Sequence, residues 1–264
     1  MSTSPNPVTE STGTASVTAP VSGPTEGLIA IDQGVEDTAN DESEAETRSV
    51  DGSLIQPGWV PPNCKSQIDD IEQEWTRPAD YFDFIHIRNL EGYVSDWQAL
   101  YQRAFECTKP GGYIEIKEFD IQCRSQPPGV TLDDKHPFNT WPKYLLGAAG
   151  KLGKVRLQCR DHGIAKNLEL AGYVDVVEKR WPVPVGPWAK DLLLRAVGAG
   201  TLDQLDQSLE GFGTFLLKEV MGREYAEILV FVSEFQKALK DSKAQPVFDL
   251  HVVFARKPAA KADS

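Results

Sequence analysis

Residues 82–120 read FDFIHIRNLEGYVSDWQALYQRAFECTKPGGYIEIKEFD, which predicts a strand, a helix, a tight turn and a second strand. In residues 81–88 aromatic and β-branched side chains alternate with polar ones, as is typical of a strand. Ser95 is placed to cap the helix, and the paired glycines after Pro110 permit a tight turn into residues 113–117. A strand, helix and strand in this order predict the crossover unit of a parallel sheet.

The chain on both sides of this unit continues the alternation of strands and helices. Further strands are predicted at residues 66–69, 174–179 and 247–254. Helices are predicted at residues 141–152, 164–170, 189–221 with a break near Gly211 and Gly213, and 224–239. This pattern indicates an α/β fold with a largely parallel sheet that is covered by helices on both faces. Phe84 is expected to be buried in a central strand.

The first 50 residues differ in composition from the rest of the chain. They contain no Phe, Trp or Tyr and are rich in Ser, Thr, Pro, Gly and acidic residues. Such a segment cannot bury enough apolar surface to offset the entropy of ordering its backbone. We therefore expect a disordered acidic tail at residues 1–50, a folded domain at 51–258 and a flexible C-terminal tail at 259–264.

Charge and cysteine usage exclude several classes of function. The formal net charge of -12 argues against direct nucleic acid binding, because that binding needs clustered Lys and Arg. No apolar run approaches the roughly 20 residues that cross a bilayer, so we expect a soluble protein without a membrane partner. The four cysteines, Cys64, Cys107, Cys123 and Cys159, are widely spaced and form no CxxC pair. This spacing favours a location in the reducing cytoplasm or nucleus, and it gives no support for a metal site.

Three sequence motifs together carry a resemblance to a known family. They are IQPGWVPPN at residues 55–63, FDFIHIR at 82–88 and PGGYIE at 110–115. In combination they resemble the fungal LaeA-like branch of the class I methyltransferases that use S-adenosyl-L-methionine. The resemblance covers residues 53–257 and is weaker after Asp120. It implies a Rossmann-like doubly wound sheet, S-adenosyl-L-methionine as cofactor and a small-molecule substrate in secondary metabolite biosynthesis.

The resemblance also implies a place for the cofactor. Class I methyltransferases commonly bind the adenine amino group with a carboxylate after the third strand, and Asp70, with Asp69 beside it, matches that position. Ile71 would then lie against the adenine ring. The alternative is that the two acids simply end a strand and begin a loop.

Candidate catalytic residues stand at the ends of the next two strands. His86 and Arg88 leave the fourth strand of the family fold near the point of methyl transfer, where His86 could accept a proton and Arg88 could anchor an acidic group. Alternation places both on one face of the strand. Glu118, at the end of the following strand, is a further candidate for the same pocket. The alternatives are a strand histidine with a satisfied hydrogen bond and a surface arginine in an ion pair.

One element of the family pattern is missing from the sequence. A strand, a GxGxG loop and a helix would hold the methionine part of the cofactor, but Gly211–Gly213 and Gly198–Gly200 follow helical residues instead. We therefore expect a partial sheet without the first strand-loop-helix unit, and weak cofactor binding. Two functions stay open: an active methyltransferase, or a catalytically silent protein that keeps the fold and binds a regulatory protein partner. A gene sequence that omits an exon would give the same pattern.

Overall fold

The computed structural model describes the backbone of residues 33–34 and 47–51, and residues 61–127, 132–154 and 158–260 in full, apart from the Phe212 side chain. The short strands β1 (Gln33–Gly34) and β2 (Thr47–Asp51) pair with each other, and β2 runs parallel to β3 (Cys64–Ile68). The rest of residues 1–50 and the end of the C-terminal tail lie outside the described residues. Disorder in both tails therefore stays a prediction.

A five-stranded sheet forms the centre of the described fold. Its strands are β4 (Phe82–Arg88), β5 (Thr108–Phe119), β6 (Arg124–Ser125), β7 (Val174–Pro184) and β8 (Pro246–Arg256). β4 runs parallel to β5, whereas β8 is antiparallel to both β5 and β7 and also pairs with β6. The sheet is thus mixed, whereas the sequence predicted a largely parallel one. The prediction failed because the alternation of strands and helices along the chain does not fix the direction of each strand.

The helices are α1 (Trp97–Cys107), α2 (Pro137–Lys151), α3 (Gly163–Ala171), α4 (Leu192–Thr214) and α5 (Tyr225–Leu239). Asp96, not Ser95, caps α1 by accepting a hydrogen bond of 3.0 Å from the Ala99 N–H. The predicted break near Gly211 and Gly213 is wrong, since α4 continues past them into a π-helix at Phe215–Val220. None of the helices described has the length and apolar character needed to span a membrane.

The crossover unit β4–α1–β5 builds the first hydrophobic core, as the sequence predicts. Its largest buried side chains come from both strands, from α1 and from α3; they are Ile85, Ile87, Trp97, Leu100, Tyr101, Ile114, Ile116, Ile164 and Leu168. Phe84 lies on the other face of β4 and is only half-buried, so the prediction of a buried Phe84 is wrong. The core therefore packs under one face of the sheet.

The Pro-Gly-Gly motif lets β5 approach β4 closely. Gly111 has a φ of +83°, and a Cβ atom on Gly112 would lie 2.8 Å from the carbonyl oxygen of Asp83. A larger residue at position 112 would force the two strands apart.

A second core lies between α2, α4, the π-helix and α5. Trp141 stacks on Phe235 with 4.6 Å between ring centroids, and on Phe231 with 5.5 Å. These helices therefore pack mainly on one another, and the carboxyl ends of β4 and β5 belong to the first core.

Candidate active site

A buried acid stands at the carboxyl end of β5. Glu118 is only 1% exposed and shares a face with Ile114 and Ile116 of the first core. Its carboxyl accepts hydrogen bonds from the backbone N–H groups of Leu90 at 2.7 Å and Glu91 at 3.3 Å, which follow β4. Burial raises the pKa of Glu118 to about 8. The side chain is therefore predominantly protonated at pH 7 and ready to ionise just above it.

A second acid, Glu91, lies next to the first. Its Oε1 accepts hydrogen bonds from the backbone N–H groups of Gln158 at 2.7 Å and Cys159 at 3.4 Å. Its Oε2 is buried and has no hydrogen-bond partner among the described residues. Burial raises the pKa of Glu91, and the charge of Glu91 in turn raises the pKa of Glu118. Each carboxyl thus opposes the ionisation of the other.

Polar groups of α1 and of the segment before α3 complete this cluster. Among the described residues, the buried Trp97 Nε1 has no hydrogen-bond partner. The buried Tyr101 hydroxyl and the Gln158 side chain lie close enough to interact with each other. Burial, followed by the nearby Glu118 charge, raises the pKa of Tyr101 well above its ordinary value, so the hydroxyl stays protonated. Buried polar atoms without a partner are uncommon in folded proteins, and each one is a potential ligand contact.

The arrangement has a definite chemical capacity. Ligands of open α/β sheets bind at the carboxyl ends of the strands, where Glu118 and the segment carrying Glu91 meet. A carboxyl whose pKa lies near the working pH is suited to accept a proton from a nucleophile. Acids whose pKa is strongly shifted by burial and by a neighbouring charge are often found at functional sites.

The structure does not bring His86 and Glu118 together. His86 points to the opposite face of the sheet, where its Nδ1 lies 3.0 Å from Glu115 Oε1. The hydrogen bond from His86 lowers the pKa of Glu115. Arg88 is exposed at the end of β4, two residues after His86. Their catalytic roles stay predictions, and any shared pocket would have to form around the strand ends.

The two predicted adenine-binding acids are exposed at the end of β3. Asp69 Oδ2 accepts a hydrogen bond from Gln67 Nε2 at 2.8 Å. Asp70 Oδ1 accepts one from the Glu72 N–H at 2.9 Å, and Asp70 Oδ2 accepts a longer one from Gln73 Nε2 at 3.3 Å. These contacts organise a turn, and they leave the exposed carboxylate of Asp70 with further lone pairs. Asp70 therefore fits an amino donor such as that of adenine.

Ile71 is less available for a ligand than Asp70. Its side chain packs partly buried against the first core. Its carbonyl oxygen accepts hydrogen bonds of 3.1 Å from both Trp75 Nε1 and Arg103 Nη1. Ile71 is only partly buried, so part of its side chain stays open to a ligand, and its role against an adenine ring stays a prediction.

Sequence reasoning identified Glu118 but missed its neighbours. Glu91 and Gln158 lie in loops without periodicity, and Tyr101 belongs to the apolar stripe of α1, which indicates a core position.

Within the ranges described, no group of three or more His, Cys, Asp or Glu side chains could hold a metal ion.

Comparison with known proteins points to one family. A model of the methyltransferase domain matches residues 39–175. The methyltransferase pytC of Aspergillus terreus is 29% identical over 208 residues, which cover 79% of this chain; the chain spans only 63% of the length of pytC. The secondary metabolism regulator LAE1 of Cochliobolus heterostrophus is 29% identical over 235 residues, with 88% of this chain and 74% of LAE1 covered. These similarities confirm the resemblance to LaeA-like proteins.

Among solved structures, phosphoethanolamine N-methyltransferase 2 of Haemonchus contortus, in complex with phosphomonomethylethanolamine and S-adenosylhomocysteine, is similar with a TM-score of 0.41. Its sequence identity to this chain is 15%, and the match covers 73% of this chain and 37% of that one.

Proposed function

Because the chain belongs to the methyltransferase-domain family, we propose that it transfers a methyl group from S-adenosylmethionine to a small molecule of fungal secondary metabolism. The names of pytC and LAE1, a methyltransferase and a regulator of secondary metabolism, support this proposal. S-adenosylmethionine supplies an electrophilic methyl group on a sulfonium centre. The residues of this chain would bind and orient the reactants and remove a proton from the nucleophile.

The observation that carries the proposal is the state of Glu118. Its carboxyl is buried at the carboxyl end of β5 and has a pKa of about 8. A base of this strength can accept the proton that a hydroxyl or amine nucleophile loses as it takes up the methyl group. The N–H groups of Leu90 and Glu91 stabilise the carboxylate that is present before the transfer.

Asp70 is the residue proposed to bind the adenine end of the cofactor. Its carboxylate is exposed and accepts a strong bond from only one backbone N–H, that of Glu72. An exocyclic amine could therefore add a charge-assisted hydrogen bond to it. The His86 and Arg88 side chains are proposed to contact the substrate from the other face of β4, in the roles predicted from the sequence.

A specific observation favours the second candidate, a catalytically silent protein that binds a regulatory partner. Ile71 packs on the core and both carboxylate oxygens of Asp70 already serve a local turn. This conformation is self-sufficient without a cofactor.

Calorimetric titration of the 264-residue chain with S-adenosylmethionine separates the two candidates. If the protein is an enzyme, S-adenosylmethionine should bind saturably in the micromolar range. Asp70→Ala should weaken this binding by about 10-fold to 150-fold, because a charge-assisted hydrogen bond contributes about 1.5–3 kcal/mol. Asp241→Ala is the matched control, because Asp241 accepts a hydrogen bond of 2.9 Å from the Lys243 N–H in the same kind of turn. Absence of binding below about millimolar concentration would support the silent protein.

Turnover gives the second test. Formation of S-adenosylhomocysteine should fall strongly in Glu118→Gln and change little in Glu169→Gln, which alters an exposed acid of α3. Equal activity of wild type and Glu118→Gln would remove Glu118 from the mechanism.

A further inference from the structure

The first turns of α4 present an apolar surface to solvent. Residues 192–200 read LLLRAVGAG, and Arg195 is the one charged residue in this stretch of sequence. Leu192 is 76% exposed, Leu193 is 72% exposed and Val197 is 40% exposed. Single exposed apolar side chains are common on proteins, but a contiguous group of them marks an interaction surface.

The packing of α4 on the rest of the fold determines which side of the helix is outward. Gly198 faces inward, because a Cβ atom on it would lie 2.2 Å from the Gly186 carbonyl oxygen, and its own carbonyl accepts a hydrogen bond of 2.8 Å from the Gly186 N–H. Residues three and four apart share one face of a helix. The outer face of α4, on the side away from Gly198, is exposed throughout these turns and consists of Leu193, Ala196, Val197 and Gly200.

The same side of α4 becomes polar after Gly200. At the same spacing it continues with exposed polar residues, which are Asp203, Gln204, Gln207 and Glu210. A polar outer side is normal for a helix that packs on a core and faces water. The apolar turns therefore differ from the rest of their own helix, and no other part of the fold that the structure describes covers them.

The outer face of α4 is complementary to itself in shape. In an antiparallel pair of α4 helices around a twofold axis between positions 196 and 197, each contact occurs twice. Leu193 then meets Gly200 of the second copy, and Ala196 meets Val197. Each large side chain thus lies against a small one, which allows the two helices to pack closely.

Charges agree with the same pairing. Lys190, which is exposed just before α4, lies opposite Asp203 of the second copy, so one ion pair closes each end of the interface. Arg195 adds no charge to the outer face, because its Nε donates a hydrogen bond of 3.0 Å back to the Ala189 carbonyl. An uncharged centre between a positive and a negative end fits a second copy better than a nucleic acid or an anionic membrane.

We propose that the outer face of α4 is the surface through which two copies of this chain associate as an antiparallel helix pair. Specific interfaces commonly bury about 800 Å² on each partner, which is more than these few turns of helix provide. The association is therefore weak and reversible. It does not depend on methyl transfer, so it goes beyond the proposed function and is tested without cofactor.

Sedimentation equilibrium of the 264-residue chain between about 10 µM and 1 mM is the first test, and the mean mass should rise from monomer towards dimer. Leu193→Gln should weaken this association at least about tenfold, since each dimer loses two apolar contacts. Leu170→Gln is the matched control and should associate like wild type. It makes the same chemical change at a leucine of α3 that is 73% exposed, against 72% for Leu193.

Exchange of the two charges tests the antiparallel register. Lys190→Glu and Asp203→Lys should each weaken the dimer by about 2-fold to 30-fold, because two exposed ion pairs are lost in each. The double variant restores opposite charges across the interface and should associate like wild type. A double variant as weak as the single ones would overturn the antiparallel pair.

Three results would overturn the self-association itself. They are a wild type that stays monomeric over the whole concentration range, a dimer that Leu193→Gln does not weaken, and a melting temperature of dilute Leu193→Gln well below that of Leu170→Gln. The last result would mean that another part of the same chain covers the outer face of α4.

Discussion

Replacing Glu118 by Gln should make the protein more stable at alkaline pH. Gln has nearly the same shape as the protonated Glu and keeps an oxygen that can accept the Leu90 N–H bond of 2.7 Å. It cannot ionise. The variant therefore removes the cost of a buried carboxylate and leaves the packing of the first core in place.

The size of the effect follows from the pKa of Glu118. The folded protein holds the proton up to about pH 8, whereas the ordinary value is 4.5. Stabilisation by the bound proton is thus complete below pH 4.5 and is lost as the pH rises to about 8. At about 1.4 kcal/mol per pH unit, this difference corresponds to a loss of about 5 kcal/mol across that window.

Urea unfolding at pH 5, 7 and 9 measures this loss as a free energy of unfolding. Glu118→Gln should unfold like wild type at pH 5 and become progressively more stable than wild type towards pH 9, by up to about 5 kcal/mol. Glu115→Gln is the control of opposite sign. Because the hydrogen bond from His86 lowers the pKa of Glu115, its contribution is present above pH 4.5 and is lost as the pH falls.

A constant difference between wild type and Glu118→Gln from pH 5 to pH 9 would refute the reasoning. It would mean that the Glu118 carboxyl titrates near its ordinary value and is reached by water in the folded state. The same result would remove the main support for Glu118 as a base near neutral pH.

Three further outcomes are expected from urea or thermal unfolding. Gly198→Ala should destabilise the fold strongly, because the new Cβ atom would lie 2.2 Å from the Gly186 carbonyl oxygen. At Gly200, in the same helix, a Cβ atom would meet no other atom within 4 Å, so Gly200→Ala should stabilise the fold by up to about 1 kcal/mol. Ile85→Ala should cost about 2–5 kcal/mol, and Phe84→Ala should cost less because Phe84 is only half-buried; the reverse order would misplace the two faces of β4. Deletion of residues 1–32, which precede β1, should change the melting temperature little, and a drop of several degrees would show that this segment packs on the fold.

The elements of the fold were predictable where the local pattern is strong. β4 and its crossover to β5 follow from alternation and from the apolar stripe of α1, which are properties of neighbouring residues. The direction of β8 was not predictable, since it depends on which edge of β5 is free after the intervening helices have packed. Asp96 instead of Ser95 caps α1 because the Ser95 side chain and N–H are directed to Glu72, a contact across 23 residues.

The candidate site was predictable only in part for a related reason. Glu118 stands at the end of a recognisable strand, where polar residues face ligands. Glu91 meets Gln158 across 67 residues, and both lie in loops whose positions depend on α1 and α3. His251 stands at a position of β8 that alternation assigns to the buried face, and only the register with β5 places it opposite an acid.

β5 carries two acids, Glu115 and Glu118, whose pKa values are shifted in opposite directions. Glu115 faces His86 on the open side of the sheet, where the side chain is 33% exposed and the hydrogen bond from His86 lowers the pKa of the carboxyl. Glu118 faces His251 on the buried side, where loss of water raises the pKa of the carboxyl to about 8. The Glu115 carboxylate therefore stays charged at neutral pH, whereas the Glu118 carboxyl gains and loses its proton near pH 8. A strand with alternating faces can thus place a permanent charge and a titrating base three residues apart, and only the second is suited to proton transfer.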